Sequence, residues 1–433
     1  MSCAGDPNID TPNMDRLQNE GLGFRKAYSN SPICTAARSC IHTGQYITSS
    51  KCLANHMPLL PTAGPQMAQV MREAGYRTCH YGKWHLSGGS VRQHFVSPYF
   101  RPGWDEWIGW ECMHGHAGLG TYSETFYGEG DEDIRPKQID KYQADWLADR
   151  SVAWLEKQNA ETPWFHVLSI ETPHDPWDVP RNVPWRQFRE FEAKKLQWRP
   201  NVDEEMRIIQ DQNHRSYLSQ IKNIDDNIGR ILQTLEETGQ LENTVVFYFS
   251  DHGDFMGSHG RRLGKESPLE ESSNIPLVVR LPGCLDVEDG RDHTPDALIS
   301  LIDLMPTSLG LCGIPVPESC DGQDLSDYFL GRSENCPDSV YLQFELYGYF
   351  GRTVPKGFWR TLHKGDWKYS VDHEVGALSL YNLGEDPYEM NNLVNQTEAE
   401  SRQREMNQQI RVKAEEIGDD FFTRLDAQLQ ASC

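Results

Sequence analysis

Residues 244–254 read TVVFYFSDHGD. A nearly all-apolar run bounded by polar residues is the signature of a strand buried on both faces of a sheet. This one, Thr244 to Ser250, gives way at once to Asp251, His252 and Asp254. In open α/β sheets, sites form beyond the carboxyl ends of strands. One stretch therefore predicts a fold class and a place for chemistry. Upstream, Tyr217, Ile221, Ile224, Ile228, Ile231 and Leu235 recur every three or four residues, which predicts an amphipathic helix over residues 211–238. Downstream, IPLVVRLPG reads as another strand.

The same alternation holds further out. TPNMDRLQNEG predicts a short helix with Thr11 as N-cap, Pro12 in the first turn and Gly21 after the last. PQMAQVMREAGY predicts a helix with Met67, Val70, Met71 and Ala74 on one face, and RTCHYGKWH an extended segment after it. YQADWLADRSVAWLEKQ is helical and WFHVLSI a buried strand. Residues from about 98 to 136 have no clear period and read as long loops. Helices alternating with buried strands imply an α/β fold, a large mixed sheet sandwiched between helices. From about residue 335, VYLQFELYG, WRTLHKGDWKYSVD and GALSLYNL change the texture to short antiparallel strands, and a polar helix ends the chain. The predicted division is 1–332 for the α/β domain and 333–433 for a small antiparallel-sheet subdomain.

Composition narrows the partners. The 433-residue chain has 38% hydrophobic and 24% charged residues, ordinary for a globular protein, and a formal net charge of -23. That charge argues against nucleic acid, which is bound by clustered Lys and Arg. An anionic substrate would need a local cationic pocket inside a repulsive field. No apolar run is long enough to span a membrane. The N-terminus MSCAGDPNID carries no visible signal peptide, which leaves a cytoplasmic location as the default expectation. The 11 cysteines are odd in number and scattered, a poor disulfide framework. Cys112, His114 and His116 lack a second ligand cluster, so a plain loop outweighs zinc there.

Four polar clusters fall at or just after predicted strands. Asp251 and His252 offer oxygen and nitrogen ligands for a divalent cation, although such pairs also cap ordinary turns. Lys83 and His85 in GKWH are two apart in an extended segment, so they share a face. His174 in ETPHDPW stands on a loop stiffened by two prolines, and Lys265 follows a glycine in GRRLGKES. Each alone reads as an exposed or turn-forming residue. Together with Arg38 they compose a cationic, acid/base set suited to a charged tetrahedral group. Cys34, in NSPICTAARSCIHTGQY, precedes a predicted short helix whose N-terminus also favours negative charge. By itself Cys34 could be a core thiol, half of a disulfide or a reacting residue.

At this point the sequence resembles the sulfatases of the alkaline phosphatase superfamily, from TPNMDRLQNEGLGF to LYNLGEDPYEMNNL. The family motif, Cys or Ser, any residue, Pro or Ala, any residue, Arg, then Thr-Gly, is matched by Cys34, Ala36, Arg38, Thr43 and Gly44. The resemblance implies that a separate maturation enzyme oxidises Cys34 to formylglycine, whose hydrate attacks sulfur. It implies Asp251, His252 and residue 34 as ligands of calcium or magnesium, with Arg38 beside them. Lys83 and Lys265 would bind sulfate, His174 would protonate the departing alcohol, and His85 would help release sulfate. Cys40 would be core. The FMGSHGRRLGK layout, with His259, resembles the iduronate-sulfatase-like branch. The implied substrate is a sulfated small molecule or saccharide, with tryptophans of residues 98–136 stacking on sugar rings. Two departures stand out. Ala36 replaces the commoner proline, which bears on maturation. The family's opening strand, ending in an Asp-Asp pair of metal ligands, is absent before CAGDPNIDTPN. The expectations are therefore weak metal binding and little activity in the chain as given, and a natural coding sequence that extends upstream. The alternatives are a phosphonate monoester or phosphodiester hydrolase of the same superfamily, and an inactive binding homologue.

Overall fold

The computed structural model describes residues 1–89, 95–112, 124–126, 137–139, 141–159, 161–179, 182–262, 264–285, 287, 292–345 and 358–432. Its α/β body is built on two sheets. One is mixed, with strand order β7-β8-β1-β9: β7 (Val246–Phe249), β8 (Asn274–Arg280), β1 (Gly21–Tyr28) and β9 (Ile299–Ser300). β8 runs antiparallel to both β1 and β7, and β9 runs parallel to β1. The other is parallel, in the order β3-β2-β6: β3 (Glu106–Trp110), β2 (Arg77–Lys83) and β6 (Trp164–Ser169). A two-stranded ribbon joins β4 (Glu124–Phe126) to β5 (Lys137–Ile139). Residues of both main sheets, among them Tyr81, Ile108 and Val278, enter one hydrophobic cluster with Trp146, Leu147, Leu232 and Leu235 of the covering helices.

The predicted helices form, with instructive differences. The amphipathic helix runs from Glu204 to Glu237, begun by Asp203, whose side chain accepts from Met206 N. The polar segment before residue 211 is helical because this cap nucleates it. The helix Pro12–Asn19 starts after Thr11, but Thr11 makes no side-chain cap bond. Asp225, buried on the long helix, instead accepts from Asn13 N at 3.0 Å and Met14 N at 2.9 Å. Gly21 does not merely stop that helix but opens β1. β6, expected to be buried, is half-buried along its whole length, as is β7. Among the described residues each is the edge strand of its sheet, with a neighbouring strand on one side only.

The C-terminal segment is an antiparallel meander: β10 (Ser339–Glu345), β11 (Phe358–Lys364), β12 (Trp367–Asp372) and β13 (Gly376–Asn382). Two helices, Glu400–Glu416 and Phe421–Ser432, end the chain where one was expected, broken by Gly418 in the left-handed conformation. The meander shares a core with the body. Tyr341, Leu342, Phe344 and Leu362 cluster with Phe24, Tyr28, Ala36 and Cys40. Arg360, fully buried, bridges Glu345 at 2.6 Å and Asp419 at 2.5 Å.

Candidate active site

Cys34 is the first residue of the helix Cys34–Thr43 and is buried. Asn55 caps this helix from outside, accepting Thr35 N at 2.9 Å, and Gly44 closes it in the left-handed conformation. The thiol therefore sits at the positive end of a helix whose later residues Ala36, Ala37 and Cys40 anchor it in the core. No disulfide involves it: among the described residues all cysteines are free.

The ends of β2, β6 and β7 and the loop before β8 deliver the rest. Lys83 is the last residue of β2, and its Nζ lies 3.8 Å from Cys34 Sγ. Lys265, on the loop before β8, comes within 3.1 Å of the same sulfur. His252, just past β7, places Nε2 at 3.2 Å from it. Asp251 pairs with Arg38 at 3.1 Å, and Arg38 also donates to the Lys83 carbonyl and to Ser169 at the end of β6. His174, past β6, turns Nε2 to Lys265 Nζ at 3.0 Å and Nδ1 to the Asp175 carbonyl at 2.7 Å. His85, with φ of 59°, is buried beside this group, within reach of Cys34, Lys83 and Arg38. Cys34, Arg38, Lys83, His85, His174, Asp251, His252 and Lys265 thus meet in one place. Cys112, of the discarded zinc reading, is buried and donates to Glu171; His114 and His116 lie outside the described residues.

The charges reinforce one another. Burial alone would lift the Cys34 thiol, but Lys265, Lys83 and His252 outweigh it and hold it well below the usual thiol range. Asp251 is held at about 2: burial pulls it up, and His252 and Arg38 pull it down further. Burial lowers His85 to about 4, so it is a neutral base at pH 7. Lys83 is raised despite its burial by Cys34, Cys112 and Glu171. Cys34 Sγ, one Asp251 oxygen and one His252 nitrogen lie within 4.8 Å of one another. Their donor chemistry fits a divalent cation, of which three side chains are a partial shell.

Sequence reasoning missed Glu171. Its side chain is fully buried 3.6 Å from Lys83 Nζ, and Cys112 Sγ and Trp110 Nε1 donate to it at 3.0 and 3.4 Å. The signal lay in ETPHDPW, three residues before His174, where a lone acid reads as a turn residue.

A buried thiol at a helix N-terminus, ringed by two lysines, an arginine and three histidines beside a carboxylate, makes a cationic pocket suited to esters that carry a tetrahedral oxyanion. The sulfatase family model matches residues 1–314, and the C-terminal model of N-sulphoglucosamine sulphohydrolase matches residues 257–416. An ulvan-active sulfatase of Formosa agariphila is 30% identical over 98% of this chain and 80% of its own length. An N-acetylglucosamine-6-O-sulfatase of Bacteroides thetaiotaomicron is 25% identical over 94% of this chain and 82% of its own. A solved structure of a Bacteroides fragilis sulfatase superposes with a TM-score of 0.86 at 24% identity, covering 98% of this chain and 94% of that one. The phosphonate monoester hydrolase of Agrobacterium radiobacter shares the fold at a TM-score of 0.75 and 20% identity, covering 96% and 93%. The chain belongs to the sulfatase family, and so to the sulfuric ester hydrolases.

Proposed function

We propose that the chain cleaves a sulfate ester of a saccharide, using position 34 as the attacking residue after a maturation enzyme has converted Cys34 to formylglycine. The observation that carries this reading is the convergence of Lys83, Lys265 and His252 on Cys34 Sγ at 3.8, 3.1 and 3.2 Å. A hydrated aldehyde there supplies a hydroxyl nucleophile and a second hydroxyl by which the sulfate is later expelled. Asp251, His252 and residue 34 would hold calcium or magnesium, which would supply Lewis-acid polarisation at this place.

The chain's own residues do the rest. Lys83 and Lys265 flank position 34 and bind the non-bridging sulfate oxygens, whose charge grows as the ester bond breaks. Arg38 fixes the Asp251 carboxylate and adds positive charge. His174, tethered to the Asp175 carbonyl, gives its proton to the departing alcohol oxygen. His85, neutral and buried, accepts a proton from the group at position 34 as sulfate leaves. In sum one water is consumed, the sulfur–oxygen ester bond breaks, and alcohol and hydrogen sulfate depart. The relatives' names, an ulvan-active sulfatase and an N-acetylglucosamine-6-O-sulfatase, support a saccharide.

Two measurements test this. Mass spectrometry of the peptide containing Cys34, from protein made with a maturation enzyme, is expected to show formylglycine. Rates on an aryl sulfate are expected to exceed those on a phenyl phosphonate ester. Full activity with an unmodified Cys34 would sink the nucleophile; a preference for the phosphonate would establish the phosphonate monoester hydrolase reading instead.

A further inference from the structure

One buried acid beside the site has no part in the chemistry proposed above. Glu171 lies two residues past β6, and its side chain is shut off from solvent. Its Oε1 sits 3.6 Å from Lys83 Nζ, the same nitrogen that stands 3.8 Å from Cys34 Sγ. Cys112 Sγ donates to that Oε1 at 3.0 Å, and Trp110 Nε1 donates to Oε2 at 3.4 Å. Lys83 closes β2, Trp110 closes β3 and Glu171 follows β6, so the network ties together the ends of all three strands of the parallel sheet. The Glu171 carbonyl also accepts from His174 N at 3.2 Å, in the turn that carries His174.

The distances bear on what Glu171 does to Lys83. A full ammonium–carboxylate hydrogen bond is about 2.7–2.9 Å long. At 3.6 Å Glu171 holds Lys83 without docking on it. A buried ammonium needs a counter-charge, because burial alone favours the neutral amine. Burial pulls Lys83 down, and neighbours led by Cys34 and including Glu171 lift it above the usual range. Conversion of Cys34 to formylglycine takes its thiolate charge away. Glu171 is then the carboxylate within ion-pair distance of Lys83 among the described residues, since Asp251 pairs with Arg38. A carboxylate in full contact would cancel the charge that a sulfate oxygen needs. Cys112 and Trp110 oppose that contact by engaging both Glu171 oxygens.

We propose that Glu171 is a positioning residue that acts through Lys83: it holds the ammonium at position 34, while Cys112 and Trp110 keep it from neutralising that ammonium. The inference rests on reading Lys83 as a sulfate-binding cation. Two opposite effects follow. Removing the Glu171 charge makes the pocket one charge more positive and leaves Lys83 untethered. An anion is then held more tightly at rest, while the ammonium is no longer fixed where charge develops during reaction. Removing the Cys112 donor lets Glu171 close on Lys83, and the same anion is held more weakly.

The test makes two measurements on the full chain, on Glu171→Gln and on Cys112→Ala. Calorimetry gives the dissociation constant of inorganic sulfate in a Cys34→Ser background, where position 34 is uncharged and no turnover is needed. Steady-state rates on 4-nitrophenyl sulfate, in matured protein, give kcat and KM. Glu171→Gln is expected to tighten sulfate binding by at least about threefold, the sense and scale of removing one nearby like charge. Its KM is expected to fall, and its kcat to drop by at least about tenfold, as for a displaced catalytic group. Cys112→Ala is expected to loosen sulfate binding by at least about threefold, through the closer Lys83–Glu171 pair. Loss of folded protein lowers apparent kcat but moves neither the dissociation constant nor KM, so it cannot produce opposite shifts. Circular dichroism checks each fold, and if Glu171→Gln does not fold, Cys112→Ala decides alone. Sulfate binding unchanged or weakened in Glu171→Gln, unchanged or tightened in Cys112→Ala, or undetectable in the background chain overturns the proposal, and so does an unaltered kcat in Glu171→Gln. Absence of turnover in the otherwise unsubstituted matured protein counts against the proposed function instead, and the sulfate constants then decide the role of Glu171.

Discussion

Lys83 and Lys265 both face Cys34, and the roles proposed for the site residues make separable demands. A lysine that bears transition-state charge and a histidine that protonates the leaving group are each worth about a hundredfold or more in turnover. Lys265→Ala and His174→Ala in matured protein are therefore expected to cut aryl sulfate turnover by at least about a hundredfold, read from steady-state rates with the fold checked by circular dichroism. Near-normal turnover in both would show the roles to be misassigned. Glu171 makes a different demand. Its charge lies 3.6 Å from an ammonium that is itself 2% exposed. Removing one partner of a buried pair leaves the other uncompensated, at a cost of about 3 kcal/mol. Glu171→Gln preserves the shape and can still accept from Cys112 and Trp110. Guanidinium denaturation is expected to show that loss; an unchanged midpoint would mean that the cations around Lys83 find their counter-charge elsewhere.

At the scale of elements, the strand ends do the positioning, and β2 is the most constrained. Gly82 has φ of 112° and precedes Lys83; a methyl there would drive into the carbonyl oxygen of Ser169 on β6. Gly82→Ala is expected to destabilise the fold by more than about 2 kcal/mol and to displace Lys83, seen as a fall in both Tm and activity. A stable, active variant would mean that β2 and β6 can separate at little cost. The elements around Glu389 carry a pH signature. Glu271 is held at about 2, where burial is outweighed by His259, Arg199 and Asn201, so its contribution is present above the unfolded value of 4.5 and is lost as pH falls toward 2. Glu389 has the opposite sign. Its folded value of about 7 exceeds the unfolded 4.5, so the folded state holds the extra proton and stability falls as pH rises between the two. Glu389→Gln is expected to flatten the stability profile between pH 4.5 and 7 in metal-free protein; an unaltered slope would place that titration in another group. The same elements show what the sequence could and could not convey. Strands with apolar runs, such as Val246–Phe249 and Asn274–Arg280, were legible, as were the motifs on the loops that follow strands. β1 was not, because GLGFRKAY interrupts its apolar pattern with glycines and charges. The structure gives the reason: a Cβ on Gly21 would strike the Val279 carbonyl, and one on Gly23 the Gln18 side chain. Glu171 was hidden for a related reason. Its burial depends on Trp110 and Cys112, residues of a distant strand end that no local pattern links to it.

At the scale of the whole molecule, the local and global fields oppose each other. The site gathers Arg38, Lys83 and Lys265 around one buried point, whereas the chain carries a net charge of -23. A sulfate ester must cross the outer field before it feels the inner one. Screening acts on the two unequally. The Debye length shrinks from about 30 Å at 0.01 M salt to about 8 Å at 0.15 M, which removes long-range repulsion while sparing buried pairs at contact distance. For an enzyme steered by its overall field toward an oppositely charged substrate, added salt slows capture. Here the reverse is expected: kcat/KM for an anionic aryl sulfate should rise, by about twofold, as sodium chloride is raised from 10 to 150 mM, with kcat little changed. Initial rates at substrate concentrations well below KM read this directly. A fall in kcat/KM over that range would mean that the cationic pocket projects beyond the surface and governs approach, in spite of the acidic chain around it.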